Sequence, residues 1–489
     1  MTVNAVRKSA PPVPGPGRAR LMPTLMSACV VLVVAMVAAT NLALPDLARS
    51  DLHPSGSQLL WIVDTYVLVF GCLLIPAGAI GDRRGRKGAL LAGLAAFAAG
   101  CLVSALAPGV TVMLAGRLVT GAGAALIMPA TLSLLLQVTE PARRPQAIAG
   151  WTAATGVAGA VGNVGGGAIL RWLPWQGLFY VGAPAALLLA AAVAWAAPRG
   201  ERHDADLDVT GAALLTLGLF ALLFGIIEGP GHGWSSGVVL GGFACAAVLL
   251  AVFTVHALRA AHPLLDPRIF AVARLRGGVV GVGAVFFGLF ALFFVNAQYL
   301  QYAKGYDTLK TGVAIVPLIL GMIVVSRRSV ALAARWGERT VVAAGLACVG
   351  AGLLLLSFAD AATPYPWYAA FLLLLSCGTG LCLPTLSVGV MTSLPHGRAG
   401  LGSGLNGAAR EIGSALGVAV AGTVLAARLA AGLPPGERAR SAGEALAHAA
   451  PGLHDQVVGA FTDGMSAGLR VVGVVVLASA VLAVAGRRP

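Results

Sequence analysis

Charge is scarce in this chain. Only 11% of its 489 residues are Asp, Glu, Lys or Arg, while 58% are hydrophobic. With a mean hydropathy of +0.87, that balance excludes a soluble globular protein and leaves a polytopic membrane protein. Long polar stretches are also missing. Apart from residues 427–464, the loops are too short to hold a soluble catalytic domain, and no GxxxxGK(S/T) loop is present to cradle a nucleotide. No enzyme is expected. Metal-ligand spacing is absent too: Cys29, Cys72, Cys101, Cys245, Cys348, Cys377 and Cys382 all fall inside apolar runs and read as small core- or lipid-facing residues, implying no disulfide, metal or cofactor. The net charge of +14 is scattered one to four cations per loop, which argues against nucleic acid as a partner.

What the chain has is long apolar runs. A crossing helix needs about 20 apolar residues for a hydrocarbon core of about 30 Å. Hydropathy gives fourteen spans, at roughly 22–44, 58–80, 88–107, 110–136, 147–170, 176–197, 208–228, 237–258, 277–300, 311–334, 340–359, 366–391, 402–426 and 465–485. The basic, proline-rich start, residues 1–20, precedes a run with no A-x-A cleavage site and reads as a cytosolic tail before a retained span. With that tail inside, 21 of the 33 Lys and Arg lie on the cytosolic side, 7 outside and 5 within spans. This positive-inside bias puts both termini in the cytoplasm of a plasma-membrane protein. Residues 427–464 then form an outer loop, whose Ala-rich middle, ERARSAGEALAHAA, is predicted as a short amphipathic helix.

The sharpest motif is Gly78 to Leu91, GAIGDRRGRKGALL, between the second and third spans. Asp82 ends a helix and is placed to accept from the N-terminal amides of a neighbouring helix or from an Arg. Arg83, Arg86 and Lys87 bridge to acids and headgroups, and Gly85 permits the tight turn. Plain topogenic charge would explain the cations but not the acid or the glycines. A worn echo, ALAARWGERTVVAAG (331–345), follows the tenth span with Ala334 where the acid would stand. If the echo follows the second span of a repeated half, the chain is six helices (21–200), two extra helices (201–275) and six more (276–489).

At this point the chain resembles the major facilitator superfamily, and within it the fourteen-span drug:proton antiporters, the branch of quaternary-ammonium and antibiotic exporters. Gly78, Asp82, Arg83, Gly85, Arg86 and Lys87 match the loop pattern after helix 2. Leu114, Arg117, Gly121, Gly123 and Ala124 match the helix 4 pattern, and GIIEGPGHGW (225–234) and NGAAREIGSALG (406–417) look like fourteen-span members. The resemblance implies an all-α major facilitator fold that works by alternating access. It also shows departures. Met36 stands where helix 1 would carry an acid, Asn163 replaces a proline in the helix 5 pattern, Thr120 replaces a glutamine, and the helix 10 acid found in some quaternary-ammonium exporters is absent.

Alternating access needs sliding helices and ionisable groups that bias two states. Gly156, Gly159, Gly162, Asn163 and Gly166 of the fifth span form a stripe, read either as a sliding interface or as ordinary small-residue packing. Intramembrane charges are functional candidates because each costs about 2.5–3.5 kcal/mol on insertion scales. Asp64 and Arg117 both lie roughly 10 Å deep and can pair, either as a proton-coupling pair replacing the missing helix 1 acid or as a static one. Glu411 sits near the midplane beside Arg410, as a proton or cation site or as a structural partner of Arg410 or Arg328. Arg327 and Arg328, about a turn and a half from the cytosolic end of the tenth span, read as snorkelling to the headgroups. Asn41, Trp61, Tyr66, Asn296 and Gln298 are candidate substrate contacts.

The sequence therefore predicts a monomeric, proton-coupled exporter of amphipathic drugs or antibiotics, whose partners are its small-molecule substrate, protons and the lipid bilayer. A narrow exporter of one neutral or anionic metabolite or self-made natural product is the alternative, and a transport-dead sensor or scaffold a remote one.

Overall fold

The computed structural model describes residues 16–198, 208–395, 398–433 and 454–485. Every regular element among them is helical, and fourteen helical segments are long and apolar enough to cross a membrane. In chain order the α-helices are α1 (Pro16–Leu42), the short α2 (Leu44–Ala48), α3 (Gly56–Arg84), α4 (Arg86–Ala105), α5 (Val110–Val138), α6 (Arg144–Trp172), α7 (Gln176–Ala196), α8 (Val209–His232), α9 (Gly237–Arg259) and α10 (Ala273–Gln298). They continue with the short α11 (Thr308–Ala314), then α12 (Val316–Trp336), α13 (Glu338–Leu356), α14 (Tyr365–Thr392), α15 (Ala399–Gly432) and α16 (His454–Ala485).

The chain divides into two compact units. The first holds residues up to Ala147, Ala158–Asp208 and His396–Gly404; the second holds Ile148–Val157, Val209–Pro395 and Leu405–Pro489. In the first unit α4 lies between α5 and α7, α5 also packs on α3, and α1 packs on α5 and α7. Small residues set the α4–α5 distance: a Cβ at Gly123 would fall 2.6 Å from the Phe97 amide, and one at Gly100 2.5 Å from that of Thr120. With no hydrophobic drive between helices in lipid, such backbone approach is what holds them together. The second unit repeats the device between α13 and α14, where a Cβ at Gly378 would fall 2.5 Å from Gly345 O. There α14 also takes α12 and α10, and α16 packs on α13 and α10.

The two extra helices, α8 and α9, belong to the second unit and pack on each other. Trp234, in their connecting turn, stacks on Phe243 with ring centroids 6.3 Å apart, and its Nε1 donates to Thr423 Oγ1 of α15 at 3.0 Å.

One expected boundary is corrected. The outer loop expected at 427–464 is helical at both ends, because α15 runs to Gly432 and α16 begins at His454. Hydropathy missed these turns since residues such as His454, Asp455 and Gln456 dilute the apolar signal. The helix is fixed instead by a buried stripe, Val457, Ala460, Phe461 and Met465, at helical spacing. Phe461 meets the Tyr302 ring edge-on at 5.9 Å. The amphipathic helix expected within 437–450 lies outside the described residues, as does the tail expected at 1–20 up to residue 15.

Candidate functional site

The loop motif builds a polar cluster in the first unit. Gly85 has φ +108° and ψ 124°, and serves as both the C-cap of α3 and the N-cap of α4. A side chain there would be strained, so only glycine fits the turn cheaply. Gly337 adopts nearly the same conformation, φ +86° and ψ 143°, between α12 and α13. The echo thus preserves the turn, with Ala334 in place of the acid and Glu338 in place of Arg86. Glu338, directly after that glycine, forms an ion pair with Arg274.

Asp82 lies in the last turn of α3 and is buried. Its Oδ1 accepts the Gly400 amide and its Oδ2 the Leu401 amide, both at 3.0 Å. Arg86 Nε donates to Oδ1 at 3.2 Å. One carboxylate therefore satisfies two of the orphan N–H groups at the start of α15, where the helix dipole favours negative charge. The helices can approach this closely because Gly78, Gly400 and Gly404 lie at their crossing: a Cβ on Gly78 would fall 2.2 Å from Gly400 O, and one on Gly404 2.5 Å from Leu74 O. Gly400 and Gly404 were not singled out from the sequence, although the spacing in GLGSGLNG was the signal. Lys87 turns the other way. Its Nζ donates to the carbonyls of Ala194 and Ala197, each at 2.7 Å, and so closes the C-terminal end of α7. Arg83 is half-buried at the same turn.

Arg117 is completely buried in α5. The structure does not bring it to Asp64. Its Nε donates to Ile62 O at 2.8 Å, its guanidinium lies 4.6 Å from the centre of the Tyr66 ring and 5.9 Å from that of Phe179, and both Nη atoms lack a hydrogen-bond partner. Aromatic faces rather than a carboxylate face this cation. Tyr66 is itself buried, donating to Val33 O at 2.9 Å. Asp64 and Trp61 are half-buried on α3. Met36, where the family acid would stand, packs in the core of this unit, its Cε only 2.6 Å from where a Gly182 Cβ would lie.

On α6, Gly162 and Gly166 press against α1: a Cβ at Gly162 would fall 2.4 Å from Ala35 O, and one at Gly166 2.8 Å from Ala39 Cβ. Gly159 faces open space, and Asn163 is exposed and bonds back to Gly159 O at 3.1 Å. Gly156 lies in α6, but its surroundings fall outside the described residues. These described contacts are packing within the first unit.

In the second unit α15 crosses α10 at Gly413 and Gly417, whose added Cβ atoms would fall 2.3 Å from Gly283 O and 2.1 Å from Phe287 O. Arg410 shares that stripe, with its guanidinium 4.8 Å from the centre of the Phe286 ring and its buried Nε unpartnered. Glu411, one residue on, is turned about 100° away and is half-buried, with no hydrogen bond or ion pair to another described residue. It stands twelve residues into α15, about 18 Å from the helix start.

The other candidate contacts are committed locally. Asn296 is buried and accepts from Tyr368 Oη, whose ring stacks 5.0 Å from that of Tyr299; this Tyr–Tyr–Asn cluster had no sequence signal. Gln298 bonds to Phe294 O at 2.8 Å, and exposed Asn41 to Val37 O at 3.0 Å.

Two units of membrane-length helices, each with a positive-φ glycine turn between two of its helices and each carrying a buried arginine, are the build of a transporter. Residues 26–418 match the Major Facilitator Superfamily, and the chain belongs to that family. It is a multi-span membrane transporter.

Its relatives narrow the setting. It is 32% identical to the multidrug resistance protein Stp of Mycobacterium tuberculosis over 401 residues, covering 81% of this chain and 74% of that one. It is 29% identical to the tetracenomycin C resistance and export protein of Streptomyces glaucescens over 497 residues, covering 96% and 92%. It is 33% identical to the puromycin resistance protein pur8 of Streptomyces alboniger over 405 residues, covering 81% and 79%. The human organic anion transporter MFSD10 (TETRAN) shares the fold, with a TM-score of 0.64 at 17% identity over 96% of this chain and 100% of that one.

Proposed function

We propose that this transporter exports amphipathic drugs or antibiotics across the cell membrane in exchange for protons, as a monomer with both termini in the cytoplasm. The observation that carries the reading is the Asp82 clasp on the first amides of α15. A carboxylate that holds a helix start through two charge-assisted bonds stabilises one state strongly, yet lets go when the helix moves. The relatives named for drug and antibiotic resistance support export as the direction.

In this reading Asp64 and Glu411 carry the protons, and Arg117 and Arg410 are the fixed cations near them. Arg117 bonds to the carbonyl of Ile62, two residues before Asp64, and its Nη groups are unspent. Those groups are free to donate to a carboxylate that approaches them. Energised inside-out vesicles test the scheme. Substrate-induced proton release should occur in the wild type and vanish in Asp64→Asn and Glu411→Gln; unchanged, pH-dependent export by both variants would reject it. Resistance profiling in a pump-deficient host against cationic dyes and several antibiotic classes defines the substrates.

A second reading, a narrow exporter of one neutral or anionic metabolite or self-made natural product, is favoured by Met36. That position is filled by packed thioether rather than an acid, so the first span offers no carboxylate to a cationic substrate there.

A further inference from the structure

Two arginines in the middle of an apolar helix lie outside the machinery described so far. Arg327 and Arg328 sit nine and eight residues before Trp336, the last residue of α12, which is about 12–13.5 Å along the axis. They are therefore two and a half turns from the helix end, a turn deeper than hydropathy suggested.

The rotation of α12 about its own axis is locked. Ser329 Oγ donates to Leu381 O at 2.6 Å and lies 3.0 Å from Thr385 Oγ1, while a Cβ on Gly380 would fall 2.8 Å from Met322 O. Met322, Ser326 and Ser329 thus face α14. Arg327 and Arg328 stand about 200° and 100° round from Ser329, and both are exposed. Neither forms a hydrogen bond or ion pair with another described residue.

Snorkelling would run against the starting direction of these side chains. The nearer end of α12 is its C-terminus, and Cα–Cβ bonds lean toward the N-terminus, so these side chains start out pointing deeper into the apolar span. Each unneutralised arginine there costs about 2.5–3.5 kcal/mol on insertion scales, and adjacent like charges add repulsion. As a rule such charges face the bundle interior or a water-filled cavity. Leu320 and Val324, 55% and 59% exposed, continue the same face N-terminally, one to two turns away. An apolar strip ending in two fixed cations is complementary to an apolar body ending in an acid.

We propose that Arg327 and Arg328 are the counter-charge for an acidic amphipathic substrate, a carboxylate, phenolate or sulfonate attached to an apolar skeleton, whose body lies along Leu320 and Val324. The assignment rests on the efflux reading and adds the charge of the cargo. Planar guanidinium pairs bind such oxyanions through forked hydrogen bonds.

Inside-out vesicles carrying the full chain and energised by a proton gradient test it with two dyes, fluorescein as the acid and ethidium as the cation. The wild type should accumulate fluorescein, and in R327Q/R328Q the ratio of fluorescein to ethidium uptake should fall at least tenfold, through a raised KM for the acid. In the wild type alone, 1-naphthoate should inhibit fluorescein uptake at least tenfold more strongly than methyl 1-naphthoate, which keeps the test decisive if the variant fails to insert. Uptake of ethidium without fluorescein, equal inhibition by acid and ester, or an unchanged ratio in the variant would overturn the proposal and leave efflux standing. Uptake of neither dye would overturn the proposal together with the broad drug-efflux reading on which it rests.

Discussion

The carboxylate of Asp82 accepts the backbone amide of Leu401, 319 residues further along the chain, at 3.0 Å. Its other oxygen holds Gly400 at the same distance and Arg86 at 3.2 Å. The acid is thus an external cap for α15, supplied by α3, and the side chains of Ala399 to Leu401 have no polar group to do the job themselves. Charge-assisted bonds of this kind are roughly twice as strong as neutral ones. The cap is therefore the strongest polar tie on the start of α15.

Asp82→Asn keeps the shape but offers one acceptor oxygen in place of two and no charge. One buried N–H of α15 is left without a partner, at a cost of about 1–3 kcal/mol. Export should fall to the host background while membrane abundance, read by immunoblot, stays within about twofold, since a cost of this size leaves a folded domain largely intact. Normal resistance conferred by the variant would reduce the motif to topogenic charge.

Gly78→Val places branched carbons where even a Cβ would lie 2.2 Å from Gly400 O. Backbone on both sides cannot yield as a flexible side chain would, and overpacking typically costs about 1–3 kcal/mol. The clasp should open, so Gly78→Val should reproduce the export defect of Asp82→Asn. Gly88→Val, at a position with nothing within 4 Å of an added Cβ, should export normally. Equal export by the two valine variants would show that the crossing is not close-packed in the membrane.

Sequence made the helices and the loop motif legible because both have local signatures: long apolar runs, cations concentrated in one set of loops, and a glycine where φ must be positive. The echo at Gly337 was readable for the same reason. Partners in space were not readable. Asp64 and Arg117 have matching depths and opposite charges, yet Arg117 settles on Tyr66 and Ile62 O, because a helix's rotation is decided by small-residue crossings distant in sequence, such as Gly121 on Tyr66 and Gly78 on Gly400. Helix ends with mixed polarity, such as His454 to Gly464, were hidden for another reason: hydropathy averages over a window, whereas a helix needs only one apolar stripe. Asn296 was visible as a polar residue in an apolar span, but its pairing with Tyr368 and Tyr299 shows no pattern until α10 and α14 are packed.

Acidification should loosen the turn between α13 and α14. Asp360 lies there, outside the spans, with its carboxyl held below its ordinary value of 3.8 by the hydroxyl of Thr363 and, further, by backbone amides and Lys304. A folded pKa below the unfolded one means that the stabilisation is fully present above pH 3.8 and is lost as pH falls through the lower folded value. Hydrogen exchange of the amides at 360–364 should therefore be constant from pH 7 to about 5, after correction for intrinsic rate, and rise below about pH 4. Asp360→Asn should show the faster exchange at every pH.

Replacing Arg117 should separate stability from transport. It is fully buried and has no acid within bonding range, so an apolar replacement removes a desolvated charge without orphaning a counter-ion. Replacing buried charges by apolar groups of similar volume is often neutral or stabilising by about 1–4 kcal/mol. Arg117→Met should keep or raise the thermal midpoint in detergent and still abolish export. A strongly lowered midpoint would mean that a carboxylate neutralises Arg117 in the membrane.

The extra helices give the last prediction. Among the described residues α8 and α9 pack chiefly on each other, and Trp234 is their polar tie to α15 through Thr423. Trp234 is held for that bond: its ring lies parallel to Phe243, at 2° between planes, and covers Gly229, where a Cβ would fall 2.7 Å from the indole. Thr423→Val removes the acceptor and keeps the volume, at a cost of about 0.5–1.5 kcal/mol for one hydrogen bond. The α8–α9 turn should then exchange its amides roughly 2–10-fold faster, the same energy expressed as an opening equilibrium, while the α13–α14 turn keeps its rate. Trp234→Phe should give the same increase, and the double variant no more than either alone, because both remove one bond. Additive effects would mean that Trp234 and Thr423 act separately.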